Sequence, residues 1–126
     1  MLKSVKGIIM IKKDKLVADL LKIKSLIKFE KNEDIPYSGI SDNNIRLELN
    51  KLIDSSVDEF VSKVESGATD RDFQELIQKG LIRFDRFELD TDDRERVCLY
   101  YEELMDVINL ESSGGIINKW MYGFEF

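Results

Sequence analysis

Paired carboxylates at helical spacing are the residues of this chain best suited to chemistry. Asp72 and Glu75 are three residues apart, and so are Glu103 and Asp106. Side chains three residues apart lie on the same face of a helix, and Mg²⁺ prefers oxygen ligands such as carboxylates. Some all-α enzymes bind Mg²⁺ in this way. The four acids are therefore candidate ligands in a carboxylate- and Mg²⁺-dependent nucleotide hydrolase.

The position of these acids beside the apolar residues favours a different interpretation. A metal site inside a helix bundle needs carboxylates that point inward, whereas these four flank the apolar stripes of their helices without interrupting them. Charged side chains are rarely buried. We interpret the acids as part of a solvated face that holds no metal, and the hydrolase is the alternative hypothesis.

The other reactive side chains offer little catalytic chemistry. The chain has no histidine, which excludes His-based general base catalysis, Ser-His-Asp triads and most zinc sites. Cys98 is the single cysteine, and Arg94, one turn earlier, is the only obvious cation near it. A low-pKa thiol needs more than that. We therefore predict no catalytic residue and no cofactor, and expect Cys98 to be a small core or boundary residue.

The elements that carry these residues are predicted to be helical throughout. Apolar residues recur at steps of three and four, and the chain has only one proline. The pattern predicts an all-α fold, a compact bundle of four main helices plus a short C-terminal helix. Residues 1–126 are read as one domain, with 1–12 as a flexible or extended segment. The predicted helices cover about 14–29, 42–66, 69–84, a stretch within 88–110, and 116–122.

Local signals fix several ends of these helices. Ser or Asp before a helix caps it by accepting a hydrogen bond from a free backbone N–H group, and Thr followed three residues later by an acid forms a capping box. Gly80 stands on the buried face of the third helix, where another helix is expected to approach closely. The predicted caps are Ser41 or Asp42 for the second helix, Thr69 with Asp72 for the third, and Asp90 or Thr91 for the fourth.

Charge is distributed unevenly along the chain. Residues 1–31 carry nine lysines and three acids, whereas residues 32–126 carry ten basic residues and 22 acids. In one interpretation the lysine-rich first helix lies against the acidic body and partly neutralises it. In the other, the acidic body meets a basic partner, and complementary fields speed their encounter. Because such a body repels phosphates, nucleic acid is not an expected partner. The lysines of the first helix could touch anionic lipid, but that helix has no aromatic anchor before Phe29, so a membrane is not an expected partner either.

The final third of the sequence resembles a known bacterial family. The similar positions include the run from Asp92 to Glu95, Glu111-Ser112-Ser113, Trp120 and Tyr122-Gly123-Phe124. They resemble the C-terminal region of the small helical family called domain of unknown function 4844. Small acidic bacterial proteins of this kind are often immunity proteins, which neutralise a toxic effector. The resemblance implies that function only by analogy between classes.

These observations together predict a binding protein and not an enzyme. The leading hypothesis is a bacterial immunity protein that neutralises a basic toxin domain of the nuclease type. Its partner-binding residues are predicted to be Glu102, Glu103, Asp106 and Glu111. A single cysteine suits a reducing compartment, so the expected location is the cytoplasm. A homodimer through the aromatic C-terminal tail is a further alternative.

Overall fold

The computed structural model describes residues 2–34 and 37–123, with side chains from residue 12 onward. Pro36, predicted to lie in a loop, and the tail residues 124–126 fall outside the described residues. Within that part the chain forms α1 (Leu2–Ser25), α2 (Asn43–Ser66), α3 (Asp70–Ile82), α4 (Thr91–Ile108) and α5 (Ile116–Tyr122). The predicted all-α bundle of four main helices and a short C-terminal helix is confirmed. None of these helices is long and apolar enough to cross a membrane.

The predicted helix caps are confirmed where the sequence offered them. The Asp42 carboxylate accepts hydrogen bonds from the backbone N–H groups of Asn44 and Ile45 at the start of α2. Asp90 accepts one from the N–H group of Asp93 at the start of α4. Thr69 and Asp72 form a reciprocal capping box at the start of α3. These contacts involve residues two or three apart, which is why the sequence was sufficient to predict them.

The first helix differs from its prediction at both ends. The prediction of a flexible or extended segment over residues 1–12 is wrong in its extended form, because the backbone is helical from Leu2 onward. Leucine, lysine and methionine in this segment are good helix formers, so the helix continues backward without a break. At the other end α1 stops at Ser25 instead of reaching Phe29, and Ile27 is 71% exposed.

A long-range contact accounts for the early end of α1. Phe29 adopts a left-handed backbone conformation with φ +63°, which an α-helix does not allow. Its side chain is fully buried and packs edge-on against Tyr100 with ring centroids 5.1 Å apart. Its backbone N–H group donates a hydrogen bond of 2.9 Å to the Tyr100 hydroxyl. Burial of this ring against α4 therefore outweighs continuation of the helix.

The core is one cluster that draws on all five helices and on the segment after α1. Burial of each large apolar side chain contributes about 1.5–3 kcal/mol to the free energy of folding. The fully buried or nearly fully buried members include Leu20, Phe29, Leu49, Ile53, Val57, Phe60, Ile77, Leu81, Phe84, Val97, Tyr101, Leu104 and Ile117.

Acidic side chains of α2 are paired with cations on both of its flanks. Lys24 Nζ lies 2.9 Å from Asp58 Oδ1, and the buried Lys28 Nζ lies 3.0 Å from Asp54 Oδ1. On the other flank Arg83 of the segment after α3 binds both carboxylate oxygens of Glu59, at 2.8 and 3.0 Å. The interpretation that the lysine-rich first segment lies against acidic surface therefore holds for α2.

Gly80 lies where α3 closely approaches side chains of α2 and α4, as its position predicted. A Cβ atom on Gly80 would lie 2.3 Å from the Tyr101 hydroxyl and 2.6 Å from Ser56 Oγ. Those two hydroxyl groups are buried and 2.7 Å apart, so they form a hydrogen bond with each other. The glycine leaves room for this pair between α2 and α4.

Replacement of Gly80 tests this approach. We expect Gly80→Ala to lower the free energy of unfolding by about 2 kcal/mol, because the added methyl group overpacks a site whose neighbours are fully buried. The same change in an ordinary helix interior stabilises by about 0.5–1 kcal/mol. Chemical denaturation measures the difference. The Gly80→Ala/Tyr101→Phe double variant should recover part of the loss, and a stabilised Gly80→Ala protein would contradict the account.

The ion pairs of Glu59 predict a pH dependence of stability. Burial acts to raise the pKa of Glu59, but hydrogen bonds from Arg83 and Lys79 outweigh it and hold the pKa below its ordinary value of 4.5. A carboxyl group with a lowered pKa in the folded state stabilises that state above its unfolded pKa and loses this effect as the pH falls. Glu59→Gln should therefore flatten the fall in unfolding free energy below pH 4.5. Identical acid profiles for the two proteins would contradict this.

Candidate functional site

The four predicted partner-binding acids all lie at the surface. Glu102, Glu103 and Asp106 belong to α4, and Glu111 lies in the turn that follows it. All four side chains are exposed to solvent. The structure therefore places them where a partner could reach them, and it separates them into two groups.

Three of the acids line one groove between α4 and α5. Glu102, Asp106 and Glu111 border a cavity of about 410 Å³, which α5 closes with Ile117 and Asn118. A smaller cavity of about 180 Å³ adjoins it and shares Glu102, Ile117 and Asn118. We call the two together the α4–α5 groove.

Glu103 lies on a neighbouring face of α4 and does not line the groove. It is seven residues, or two helical turns, from Arg96, whose charge acts on it, as does that of Lys28. Partial burial raises the pKa of Glu103, and the two cations only partly offset that effect. Its position beside cations makes it the least available of the four acids for a partner.

Local interactions in the turn after α4 bring α5 into position. Asn109 ends α4 in a left-handed conformation with φ 56°, and the next N–H group, of Leu110, donates to the Met105 carbonyl. This αL ending reverses the chain. Gln74 of α3 then donates a 3.0 Å hydrogen bond to the Ser112 carbonyl, and Ile117 is buried. The turn and one apolar anchor thus hold α5 alongside α4.

The charge of the groove is entirely acidic. Its lining contains Glu95, Glu102, Asp106 and Glu111 and no lysine or arginine. Within the described part of the chain, no ion pair includes any of these four acids. The carboxylates of the groove therefore face water with their charge unneutralised by the protein.

Two exposed residues of α4 that line the groove were not among the predicted partner-binding residues. Glu95 and Leu99 line the smaller cavity, and they precede Glu102 by seven and three residues, which places all three on one face of α4. Leu99 is 43% exposed, whereas its neighbours Cys98 and Tyr100 are buried. The helical spacing that places Glu95 and Leu99 on the same face as Glu102 was available in the sequence.

The ligand set of the alternative hydrolase is not gathered in the structure. Asp72 is engaged in the capping box, where the Thr69 backbone N–H group lowers its pKa. Glu75 pairs with Arg71 at 3.4 Å. Across residues 2–34 and 37–123, no three or more acidic or thiol groups are arranged to hold a metal ion.

The aromatic residue Trp120 holds α5 against the bundle. Trp120 packs edge-on against Phe84, and its Nε1–H group donates a 2.8 Å hydrogen bond to Asp85. The Arg94 guanidinium lies 3.9 Å from the centre of the indole ring, and such a cation–π contact is favourable. Phe124, part of the resemblance to a family, lies outside the described residues.

Comparisons with known proteins agree with the resemblance seen in the sequence and extend it. A family model described as domain of unknown function (DUF4844) matches residues 10–125. The chain is also similar to the crystal structure of a DUF3571 family protein from Acinetobacter baumannii. That similarity has a TM-score of 0.82 and 29% sequence identity, and it covers 89% of this chain and 92% of the other. No curated protein matches the chain.

The environment of Cys98 predicts an inert thiol. Burial and, to a smaller degree, the negative charge of Glu102 raise the pKa of Cys98 to about 12. Because only the thiolate is a good nucleophile, we expect Cys98 in the native protein to react with iodoacetamide at pH 8 at least about a hundredfold more slowly than in urea. A Cys98→Ser/Leu99→Cys variant provides an exposed thiol one residue away and should react rapidly. Rapid labelling of native Cys98 would contradict this assignment.

Proposed function

The chain belongs to the DUF4844 family, and we propose that it is a non-enzymatic protein-binding module whose α4–α5 groove binds a basic protein. The observation that carries the proposal is the unpaired acidic lining of this groove. Whereas Asp54, Asp58 and Glu59 of α2 pair with cations of the same chain, the acids of the groove line it without a lysine or arginine.

The more specific proposal is a cytoplasmic immunity protein that neutralises a cationic toxin domain. Nucleases line their substrate sites with lysine and arginine because they bind phosphates, so an acidic surface is suited to occupy such a site. In this mechanism Glu102, Asp106 and Glu111 form ion pairs with those cations, and Glu103 contributes mainly to the surrounding field. Charge complementarity of this kind accelerates association and excludes wrongly charged partners.

The same charge argues against other classes of ligand. Nucleic acid and anionic lipid headgroups both present phosphates, which the carboxylates of the groove repel. A bound divalent ion would need several converging acids, and the described residues contain no such group of three or more. A basic polypeptide is the ligand class that can neutralise these acids without requiring them to converge on one point.

Neutralisation of the acidic surface tests this function in cells. Effector domains encoded beside the gene are expressed with and without this protein, and cell survival is measured. The wild-type chain should restore growth, and the variant Glu102→Gln/Glu103→Gln/Asp106→Asn/Glu111→Gln should lose most of the protection, because ion pairs buried at an interface cost about 2–5 kcal/mol when one partner is truncated.

A second variant distinguishes the effect of the groove acids from the effect of total charge. Glu30→Gln/Glu48→Gln/Glu65→Gln/Glu88→Gln removes the same number of charges at exposed positions outside the groove. It should protect cells as well as the wild-type chain does. Equal protection by both variants, or no protection by the wild-type chain against any neighbouring effector, would contradict the proposal.

A further inference from the structure

The α4–α5 groove has an apolar floor as well as an acidic rim. Its smaller cavity is lined by Leu99 of α4 and by Ile117 and Met121 of α5, together with the buried thiol of Cys98. Leu99 is 43% exposed although it belongs to a helix whose other large apolar residues are mostly buried. An exposed leucine between acids in a concave site is a place where a partner side chain can be desolvated.

The acids and Leu99 are arranged in a regular row. Glu95, Leu99, Glu102 and Asp106 follow one another at steps of four, three and four residues in α4, so they lie along one face of the helix. With a rise of 1.5 Å per residue the row spans about 16 Å, or three helical turns. This length and spacing match one face of a partner helix of about the same length.

We infer that the α4–α5 groove binds an amphipathic cationic helix of the partner, with one apolar side chain seated on Leu99 between flanking lysine or arginine residues. The inference rests on the proposed function for the identity of the protein that carries this helix. Charge complementarity selects the occupant, because every charged residue of the lining is acidic and no cation is present there to pair with an acidic segment. The exposed floor then selects an apolar residue at the centre.

A peptide of defined register tests this inference on the full-length protein. The first peptide is helical and carries Arg, Leu, Arg and Arg at steps of four, three and four residues on one face. The second has the same composition and net charge, but its arginines are moved to the other faces. Fluorescence anisotropy of labelled peptides at physiological ionic strength gives the dissociation constants. The first peptide should bind at least about tenfold more tightly, a difference of 1.4 kcal/mol.

Matched leucine variants locate the binding site. Leu99→Ser should weaken binding of the first peptide about tenfold, because truncation of a central apolar contact costs more than 1 kcal/mol. Leu47→Ser is the control, since Leu47 is 58% exposed on α2. It should leave the dissociation constant unchanged.

Three outcomes would overturn the inference. They are equal binding of the two peptides, no effect of Leu99→Ser, and a concentration-dependent dimer of the free protein that Leu99→Ser dissociates. The last would mean that a second copy of this chain occupies the groove. The cell assay keeps the two proposals apart. If the first peptide does not bind selectively but cells are protected, only the proposal of a bound helix is rejected. If the peptide binds but cells are not protected, only the proposed immunity function is rejected.

Discussion

The ion pairs between cations and acids within this chain determine which part of its surface keeps a negative charge. Lys24 and Lys28 pair with Asp58 and Asp54 on one flank of α2, and Arg83 binds Glu59 on the other. Lys28 is only 1% exposed, and its ammonium group also donates to the carbonyls of Lys24 and Leu26. A buried charge must be paired in this way, because an unpaired one costs several kcal/mol. These cations therefore stabilise the fold and do not pair with the acids of the α4–α5 groove.

Commitment of the cations to α2 leaves α4 and the turn after it with excess negative charge. Self-repulsion of this kind is tolerated at an exposed face, where water and salt screen it. It has a functional use only if something cationic approaches. The apolar floor distinguishes the groove from an ordinary solvated helix face, because Leu99, Ile117 and Met121 line one cavity that also has acids in its lining. The negative potential of the groove acids and the apolar floor of the groove together favour a partner that is both cationic and amphipathic.

The sequence predicted those parts of the molecule that depend on near neighbours. Asp42, Thr69 and Asp90 cap helices through contacts two or three residues away, so composition and spacing sufficed. The end of α1 depends instead on Phe29 and Tyr100, 71 residues apart, and no local signal shows that contact. The candidate site likewise has features that the sequence predicts and features that depend on distant contacts. The acids of α4 were visible in the sequence, but the groove forms because Asn109 turns the chain and Ile117 and Trp120 anchor α5. The separation of Glu103 from the other three acids likewise became visible only in the structure, where Glu103 does not line the groove.

The dependence of complex affinity on salt tests the central claim most directly, that unpaired carboxylates of the α4–α5 groove attract a cationic protein. The dissociation constant of the complex with its effector domain is measured over a series of NaCl concentrations. The account predicts a steep rise with salt, which becomes much shallower when Glu95, Glu102, Asp106 and Glu111 are neutralised together, since charge attraction between surfaces is screened by ions. An affinity that is independent of salt, or one whose salt dependence survives neutralisation of these four acids, would contradict it.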